Sequence, residues 1–450
     1  MTRYISLFIL LSFSLLSSAD VSYQESDLHT AAKINDFKIP KASFDLIYQI
    51  AFKHDPDTSK KALIRSLIEN YVFAREAERE FGENVLMQKN SVGFDTQVTL
   101  DRDFVKTFFQ RYRVQIQKSI KQLPGSTLTS LLKHPIKISP AQLQEAVDLK
   151  NSLKYNLSKD KAVLAKKVTL ATYQMPKSPI IHTVSLWDIY NRQNIQGRVA
   201  IHQKNIAFLE NQIRDYLLER YVHYWARNES GLSQGEVIAL SALFKDRLIK
   251  EQYLALKGLN LDLHHNNQQQ TERAKLVTHK EILAYYNKHK EEFQIIEKVR
   301  ASHIRIDSQE LADTVYKEIN EGLLTFDQAV KRYSISDDKN QTKAGNLGWI
   351  KNKDKSSTWL QGVAFIQTEN IVSKPFRSPQ GAEKEIFWEI ILVHEKIIGY
   401  QPSDSEGVRY EASRAIAKKH LVKDFKRTRK QLLKSANIEL NKKLLGNDVY

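Results

Sequence analysis

The chain of 450 residues contains no cysteine, so it can form no disulfide bond and carry no lipid on a cysteine thiol. After its first residues, no hydrophobic run reaches the roughly 20 residues that a membrane-spanning helix requires. These absences argue against a disulfide framework, a lipoprotein anchor and a spanning helix in the body of the chain. A chain without thiols also avoids mispairing in an oxidising compartment.

Several motifs of nucleotide, nucleophile and metal chemistry are missing as well. The sequence has no G-x-x-x-x-G-K-[ST] phosphate loop, no G-x-G-x-x-G turn and no G-x-S-x-G elbow. His264 and His265 are adjacent, but no cysteine and no H-E-x-x-H helix accompany them. We interpret this pair as part of an exposed polar loop over 261–272, and we predict no metal and no cofactor.

The first residues have the pattern of a secretory signal. Arg3 precedes the apolar run Tyr4–Leu16, and Ser17-Ser18-Ala19 supplies the small residues of a cleavage site. The alternative is a buried N-terminal helix. We predict a signal peptide over 1–19 and a mature protein in the periplasm.

The charge balance is strongly basic, with 68 Lys and Arg against 52 Asp and Glu, a net charge of +16. Such a balance often accompanies nucleic-acid binding. Here the predicted export, and the spread of basic residues along the chain, argue against a nucleic-acid partner. We interpret the charge as a solvated basic surface. The alternative is attraction of acidic unfolded chains or weak contact with anionic lipid.

About 430 mature residues predict two to four domains. Residues 31–40 predict a hairpin around an Asn-Asp turn, and the region after it is dominated by amphipathic helical patterns. A final helix over 410–435 and a strand over 438–441 close the chain. The other predicted helices cover 42–53, 59–81, 100–122, 140–157, 197–227, 234–257 and 278–293.

An ordered set of motifs lies between Val299 and Trp349. It consists of Ser302-His303-Ile304, then G-x-x-x-F-x-x-A from Gly322 to Ala329, then Tyr333-Ser334, and finally Gly345-Asn346-Leu347-Gly348-Trp349. This set resembles the parvulin family of peptidyl-prolyl isomerases. The resemblance implies an antiparallel sheet with helices, and it implies catalysis of rotation about X–Pro bonds. No second copy of the pattern occurs.

The resemblance also implies a catalytic set. His303 matches the first histidine of the family, and Asp338 falls where the family has Cys or Asp; a turn-forming aspartate is the alternative reading. Glu389, in Phe387-Trp388-Glu389, stands where the family has its second histidine. His394 is five residues later, an odd offset that turns it to the other face of a strand. We therefore expect weakened or absent isomerase activity.

The proline pocket of parvulins is apolar and partly aromatic. Phe365 matches one wall, and Leu360 occupies a position that is usually Phe. Trp349 and Trp388 complete the predicted substrate-binding set. The same residues would also serve as core in any small α/β domain.

The hairpin and the two helices that follow it resemble the start of the SurA-like chaperone domain. In SurA-like and PrsA-like proteins the C-terminal segment returns to complete that domain. The resemblance therefore implies an α+β multidomain protein. Its predicted parts are a helical chaperone module over 20–280, a parvulin domain over 296–398 and a returning segment over 404–450.

We predict a periplasmic prolyl isomerase and chaperone (rotamase class, if active) that binds unfolded or nascent exported polypeptides, among them outer-membrane proteins. The first alternative is a non-enzymatic holdase or assembly factor whose parvulin domain only binds peptide. A further alternative is an envelope protein that docks on anionic lipid, which salt would weaken steeply.

Overall fold

The structure is a computed structural model that describes most of the chain. The described residues are 21–24, 28–87, 92–134, 136, 138, 140–147, 155–259, 267–340, 345–352, 358–381, 385–441 and 443. The predicted signal peptide, 1–19, lies outside them, as do residues 261–266 of the predicted loop.

The strands and helices of the described residues are numbered in chain order. The strands are β1 Val21–Gln24, β2 Thr30–Ile34, β3 Phe37–Pro40, β4 Thr169–Gln174, β5 Ile181–Ser185, β6 Gln294–Ile306, β7 Asn346–Lys351, β8 Phe376–Arg377, β9 Trp388–Tyr400 and β10 Ile438–Asn441. The helices are α1 Lys41–His54, α2 Lys60–Phe81, α3 Glu83–Leu86, α4 Thr96–Lys121, α5 Pro140–Ala146, α6 Lys159–Lys167, α7 Leu186–Asn191, α8 Ile195–His202, α9 Ile206–Asn228, α10 Gln234–Leu256, α11 Gln268–Lys275, α12 His279–Lys288, α13 Gln309–Asn320, α14 Phe326–Tyr333, α15 Trp359–Ile366 and α16 Glu406–Ser435. Short 3-10 helices cover Pro124–Ser126, Leu128–Leu131, Lys290–Phe293 and Asp337–Asn340.

The chain divides into two compact units. The first contains residues 1–265 and 421–450, and the second contains residues 266–420. The domain boundaries predicted from the sequence stay a prediction.

The first unit contains a four-stranded sheet in the order β1-β10-β2-β3. The C-terminal strand β10 runs parallel to β1 and antiparallel to β2, so the two ends of the chain share one sheet. The predicted hairpin is confirmed as β2 and β3, whose turn has Asn35 at φ +53°. Asparagine tolerates this left-handed conformation better than most residues do.

The core below this sheet comes from α1, α2, α10 and the end of α16. Its members include Phe44, Phe73, Leu433 and Ile438. The last turns of α16 are tied to α2, because Arg429 donates from Nε to Oε2 of Glu69 at 2.7 Å. Two further clusters of buried apolar residues lie along α4, α9 and the elements between them.

Most predicted helices of the first unit are confirmed, and three details are corrected. The helix predicted over 140–157 covers only Pro140–Ala146, α5, among the described residues. The predicted helix over 197–227 is two helices, α8 and α9, with Asn205 capping the second through Phe208 N–H. The helical interpretation of the middle region also missed β4 and β5, a two-stranded antiparallel ribbon. The two strands are short and of mixed polarity, and Pro176 and Pro179 lie in the connection between them. They give only weak period-two alternation, so the helical patterns on either side dominated the prediction.

The second unit is built on an antiparallel sheet in the order β7-β6-β9-β8. Helices α13 and α14 pack on one face, around Ile304, Ile306 and Ile390. Helix α15 packs on the other face, around Val299, Ile391 and neighbouring residues. Residues 268–275, which the sequence assigned in part to a loop, form helix α11, because the Asn267 side chain caps its first N–H groups.

The predicted fold class is confirmed: a mainly helical part and one antiparallel-sheet part with its own helices. Within the described residues, no helix combines the length and the apolar character needed to cross a bilayer.

Candidate active site

The candidate site is built on the two long central strands, β6 and β9. Their antiparallel register sets His303 opposite Ile391, and Arg305 opposite Glu389. Because strand side chains alternate between faces, His303, Arg305, Glu389 and Ile391 all lie on the face that α15 covers. Pairs on one face of a sheet, both directly opposite and diagonal, are close enough to interact. The register alone therefore brings these polar groups together.

His303 is held between two carboxylates. Its Nδ1 lies 2.8 Å from Oε2 of Glu389, and its Nε2 lies 3.1 Å from Oδ2 of Asp338. The histidine side chain is only 5% exposed, so these contacts replace water on both sides of the ring. The structure thus brings together all three residues of the predicted catalytic set. Their catalytic roles stay a prediction.

Glu389 is the most deeply buried member of the cluster, with a side chain that is 0% exposed. Its second oxygen, Oε1, accepts a hydrogen bond from Nε of Arg305 at 2.6 Å. The Arg305 guanidinium also lies 4.8 Å from the ring centroid of Phe387. Both oxygens of the buried carboxyl group therefore have a hydrogen-bonding partner.

Asp338 is carried by the 3-10 helix Asp337–Asn340, which follows α14. Ser334, at the end of α14, fixes this segment to β6, because its Oγ accepts from the backbone N–H of Arg305 at 3.3 Å. The next residue donates its N–H back to the carbonyl of Arg305 at 2.9 Å. The other oxygen of Asp338, Oδ1, is buried and has no hydrogen-bond partner among the described residues.

The two carboxylates change the titration of His303. Burial by itself disfavours the charged ring, but the hydrogen bond and charge of Glu389, together with Asp338, outweigh it and raise the pKa of His303 above its usual value. His303 therefore holds its second proton to a higher pH than an exposed histidine does.

Two of the predicted pocket residues lie on the same face of the sheet as His303, and their role in a pocket stays a prediction. Leu360 is 4% exposed and Phe365 is half-buried, and both belong to the α15 cluster on the His303 face. The structure corrects the position of Trp388, which pairs with Ile306 and packs in the cluster on the opposite face. The physical reason is strand alternation: Trp388 precedes the site residue Glu389 by one position.

The last predicted pocket residue, Trp349, is 43% exposed on β7. Its ring lies 4.7 Å from Nζ of Lys298 and 6.0 Å from the guanidinium carbon of Arg300. A pocket role for Trp349 stays a prediction. Trp359 is an aromatic neighbour that the sequence did not single out as a site residue; it forms an edge-to-face pair with Phe376 at 6.1 Å within the α15 cluster.

His394 does not take the place of the missing second histidine. Its Nε2 lies 2.8 Å from Oγ of Ser302, which alternates to the face opposite His303. Burial and the nearby Arg300 lower the pKa of His394. The pKa of His394 on β9 is therefore shifted in the opposite direction to that of His303 on β6.

Arg305 is the functional candidate that sequence reasoning missed. A signal was available, because Arg305 follows His303 by two residues and a strand turns such residues to one face. Arginine on the buried face of a strand requires an acid nearby, and Glu389 is an unusual acid on the paired strand.

This fold and site define a parvulin-type domain. Residues 293–395 match the family described as "Rotamase: PPIC-type PPIASE domain". The chain therefore contains a PPIC-type peptidyl-prolyl isomerase domain in its second unit. No curated protein matches the chain.

Solved structures with similarity to the chain include foldases and chaperones. The peptidylprolyl isomerase PrsA of Bacillus anthracis is 18% identical, with 52% of this chain and 84% of that chain covered and a TM-score of 0.20. A SurA-like chaperone of Campylobacter jejuni is 16% identical, with 59% and 98% covered and a TM-score of 0.21. The foldase PrsA of Lactococcus lactis is 11% identical, with 92% and 95% covered and a TM-score of 0.20. TM-scores this low support no functional conclusion for this chain.

Proposed function

We propose that the protein is an exported prolyl isomerase and chaperone of the SurA and PrsA type. One observation carries the proposal: within a PPIC-type domain, His303 lies on the sheet face of the apolar α15 cluster. The helical first unit would hold unfolded segments, and the second unit would act on their X–Pro bonds.

Isomerisation of an X–Pro peptide bond breaks no covalent bond. Rotation about an X–Pro bond has a barrier of about 20 kcal/mol and takes tens to hundreds of seconds unaided. A site accelerates it by binding the twisted amide more tightly than the planar one. An apolar wall containing Leu360 and Phe365 suits the pyrrolidine ring, and a fixed polar cluster suits the changing charge of the amide.

The compartment and the clients are part of the proposal. The N-terminal sequence Arg3, Tyr4–Leu16 and Ser17-Ser18-Ala19 supports export to the periplasm. The absence of cysteine fits an oxidising compartment. Unfolded exported polypeptides, including outer-membrane proteins, are the clients that this location supplies.

A second candidate function is peptide binding without turnover. The observation that favours it is the engagement of both ring nitrogens of His303 by carboxylates. A ring held in this way has no remaining N–H for the substrate amide. Glu389 also adds an acid where the parvulin pattern has a second histidine.

Isomerisation of a short X–Pro peptide series separates the two functions. Wild type, His303→Ala and Glu389→His are compared, with His394→Gln as a matched control because it removes a histidine of the same two strands outside the cluster. Turnover by wild type that is lost in His303→Ala and kept in His394→Gln supports an enzyme. No turnover by wild type, with turnover gained in Glu389→His, supports the binding function.

The chaperone part of the proposal has its own test. Suppression of aggregation of a chemically unfolded protein is measured at increasing ratios of chaperone to client. The expected result is suppression by wild type and equally by His303→Ala, because the helical unit does not contain His303. Absence of suppression by both proteins would contradict a chaperone role.

A further inference from the structure

We infer that Arg305 is a positioning residue of this site: it holds Glu389 as a carboxylate, and Glu389 together with Asp338 holds His303 as an imidazolium. The inference rests on the proposed function only for what the site does, since a protonation state is a property of the protein alone. It assigns a role to a residue that belongs to no motif of the sequence.

The strand register fixes the relation between Arg305 and Glu389. The two residues are directly opposite across β6 and β9, and the hydrogen bond from Nε to Oε1 is 2.6 Å long. His303 is the diagonal neighbour of Glu389 on the same face, at 2.8 Å. A cross-strand pair of this kind needs no loop to hold it.

The Glu389 side chain is 0% exposed, so hydrogen bonds from the protein have to replace its hydration. An isolated carboxylate that is 0% exposed would take up a proton, because burial disfavours its charge. Here each oxygen has a cationic or potentially cationic donor, Arg305 at Oε1 and His303 at Oε2. Charge-assisted hydrogen bonds to both oxygens are the arrangement that stabilises a buried carboxylate.

His303 faces an acid at each ring nitrogen, and this geometry decides its form. A neutral imidazole has one N–H donor and one lone pair. Whichever nitrogen carried the lone pair would then point it at a carboxylate, Glu389 at 2.8 Å or Asp338 at 3.1 Å. A ring with two N–H groups satisfies both contacts.

The four groups of the cluster then alternate in charge. Arg305 and His303 are two cations, and Glu389 and Asp338 are two anions, in contact in sequence from Arg305 to Asp338. Removing Arg305 leaves Oε1 of the buried Glu389 without this donor. Without that donor Glu389 is no longer held in place against Nδ1 of His303, and we expect Nδ1 to lose its proton.

The test is nitrogen NMR of the full-length protein with histidine ring nitrogens labelled, recorded between pH 6 and 9. The His303 signals are identified by their loss in His303→Gln. At pH 8 we expect both ring nitrogens of wild-type His303 at protonated positions. We expect Arg305→Met to shift Nδ1 to the unprotonated position, and Arg305→Lys to retain the wild-type spectrum.

Two further variants serve as a control and as a second test. Arg300→Met is the matched control, because Arg300 is directly opposite Glu395 on the same strands in an exposed pair, and it should leave His303 unchanged. The double variant Arg305→Met, Glu389→Gln removes both charges of the cross-strand pair. It serves as the test if Arg305→Met alone does not fold. His303 of the double variant should be neutral at pH 8.

Two outcomes would overturn the inference. One is a wild-type His303 with an unprotonated ring nitrogen at pH 8, and the other is a doubly protonated ring that persists in Arg305→Met. Neither outcome bears on turnover of X–Pro peptides, which is measured separately. Failure of the isomerase proposal would appear as absent turnover with the imidazolium still present.

Discussion

Gly345 and His303 approach each other so closely that a side chain cannot be added between them. The N–H of His303 donates to the carbonyl of Gly345 at 2.8 Å, and a Cβ on Gly345 would lie 2.4 Å from the carbonyl oxygen of His303. Gly345 also has φ +66°, a left-handed conformation that other residues adopt at a cost. The glycine that opens the last motif of the sequence pattern therefore sets the distance between β7 and the site strand.

The first prediction follows from this approach. Gly345→Ala should lower the free energy of unfolding of the second unit by more than about 2 kcal/mol, since strain at positive φ alone costs about 1–2 kcal/mol and a clash with backbone is added. Denaturant unfolding measures the loss. Gly348→Ala is the control, because Gly348 has φ +68° but no atom within 4 Å of an added Cβ. Equal losses in both variants would mean that the approach to His303 is unimportant.

Local patterns predicted much of the fold. The hairpin and the helices after it were readable because their apolar periods are regular and their ends are marked, for example by Ser59, which accepts from the N–H of Ala62. The ribbon β4–β5 was not predicted, because each of its strands has only five or six residues of mixed polarity and gives too little periodic signal. Helix α11 was missed for a related reason: its sequence, rich in Gln, has no buried residue to create an apolar stripe.

The site was predictable as a set of residue types but not as a geometry. His303, Asp338 and Glu389 follow from the parvulin motifs, yet 35 residues separate the first two and 86 separate the first and last. Only the pairing of β6 with β9 makes Arg305 the partner of Glu389. Register depends on long-range pairing, so a single sequence does not reveal it.

The second prediction concerns pH and His303. Its pKa is raised in the folded protein, so its stabilising contribution is complete below the unfolded pKa of about 6.5 and is lost as pH rises through the folded pKa. Unfolding free energies of wild type and His303→Gln should therefore differ most near pH 6, and the difference should shrink towards pH 9. The measurement is denaturant unfolding at several pH values.

His394 serves as a control, because its effect on stability should depend on pH in the opposite direction. Its pKa is lowered, chiefly by burial, so its contribution is present above pH 6.5 or so and declines as pH falls. The difference between wild type and His394→Gln should therefore grow, not shrink, as pH rises from 5 to 7. The same trend for both histidines would contradict the carboxylate account of His303.

The third prediction concerns His223 on α9 of the first unit. Its ring stacks on Phe104 at 4.3 Å, and burial, aided by Arg220, lowers its pKa to about 4. The unfolded chain binds a proton near pH 6.5 and the folded chain does not, so stability falls as the pH is lowered towards 4. Between pH 7 and pH 5 this loss should be on the order of 1–2 kcal/mol.

His223→Phe keeps the stacked ring and removes the titration. The variant should therefore lose less stability than wild type when the pH is lowered from 7 to 5, by the same 1–2 kcal/mol or so. Thermal unfolding at the two pH values, with attention to the first unit, measures the difference. Parallel losses in the two proteins would show that His223 does not sense acid.

The fourth prediction concerns Asp246, a carboxyl on α10 that is 2% exposed and bonded to Nη2 of Arg75. The ion pair with Arg75, taken alone, would stabilise the carboxylate form of Asp246. Burial is the larger effect, however, and it raises the pKa of Asp246 to about 6. Because the folded pKa exceeds the unfolded value of about 3.9, the contribution of Asp246 is fully present below about pH 4 and is lost as pH rises through 6.

Asp246→Asn should therefore stabilise the first unit at pH 7.5, by about 1–2 kcal/mol after allowing for the charge-assisted bond that it gives up. The gain should be absent at pH 4.5, where Asp246 is already protonated. Arg75→Met is the complementary change: at pH 7.5 it removes the partner of a buried charge and should destabilise, whereas at pH 4.5 it should have little effect, because the carboxyl is then neutral. If Asp246→Asn is instead less stable than wild type at pH 7.5, the ion pair with Arg75 outweighs burial.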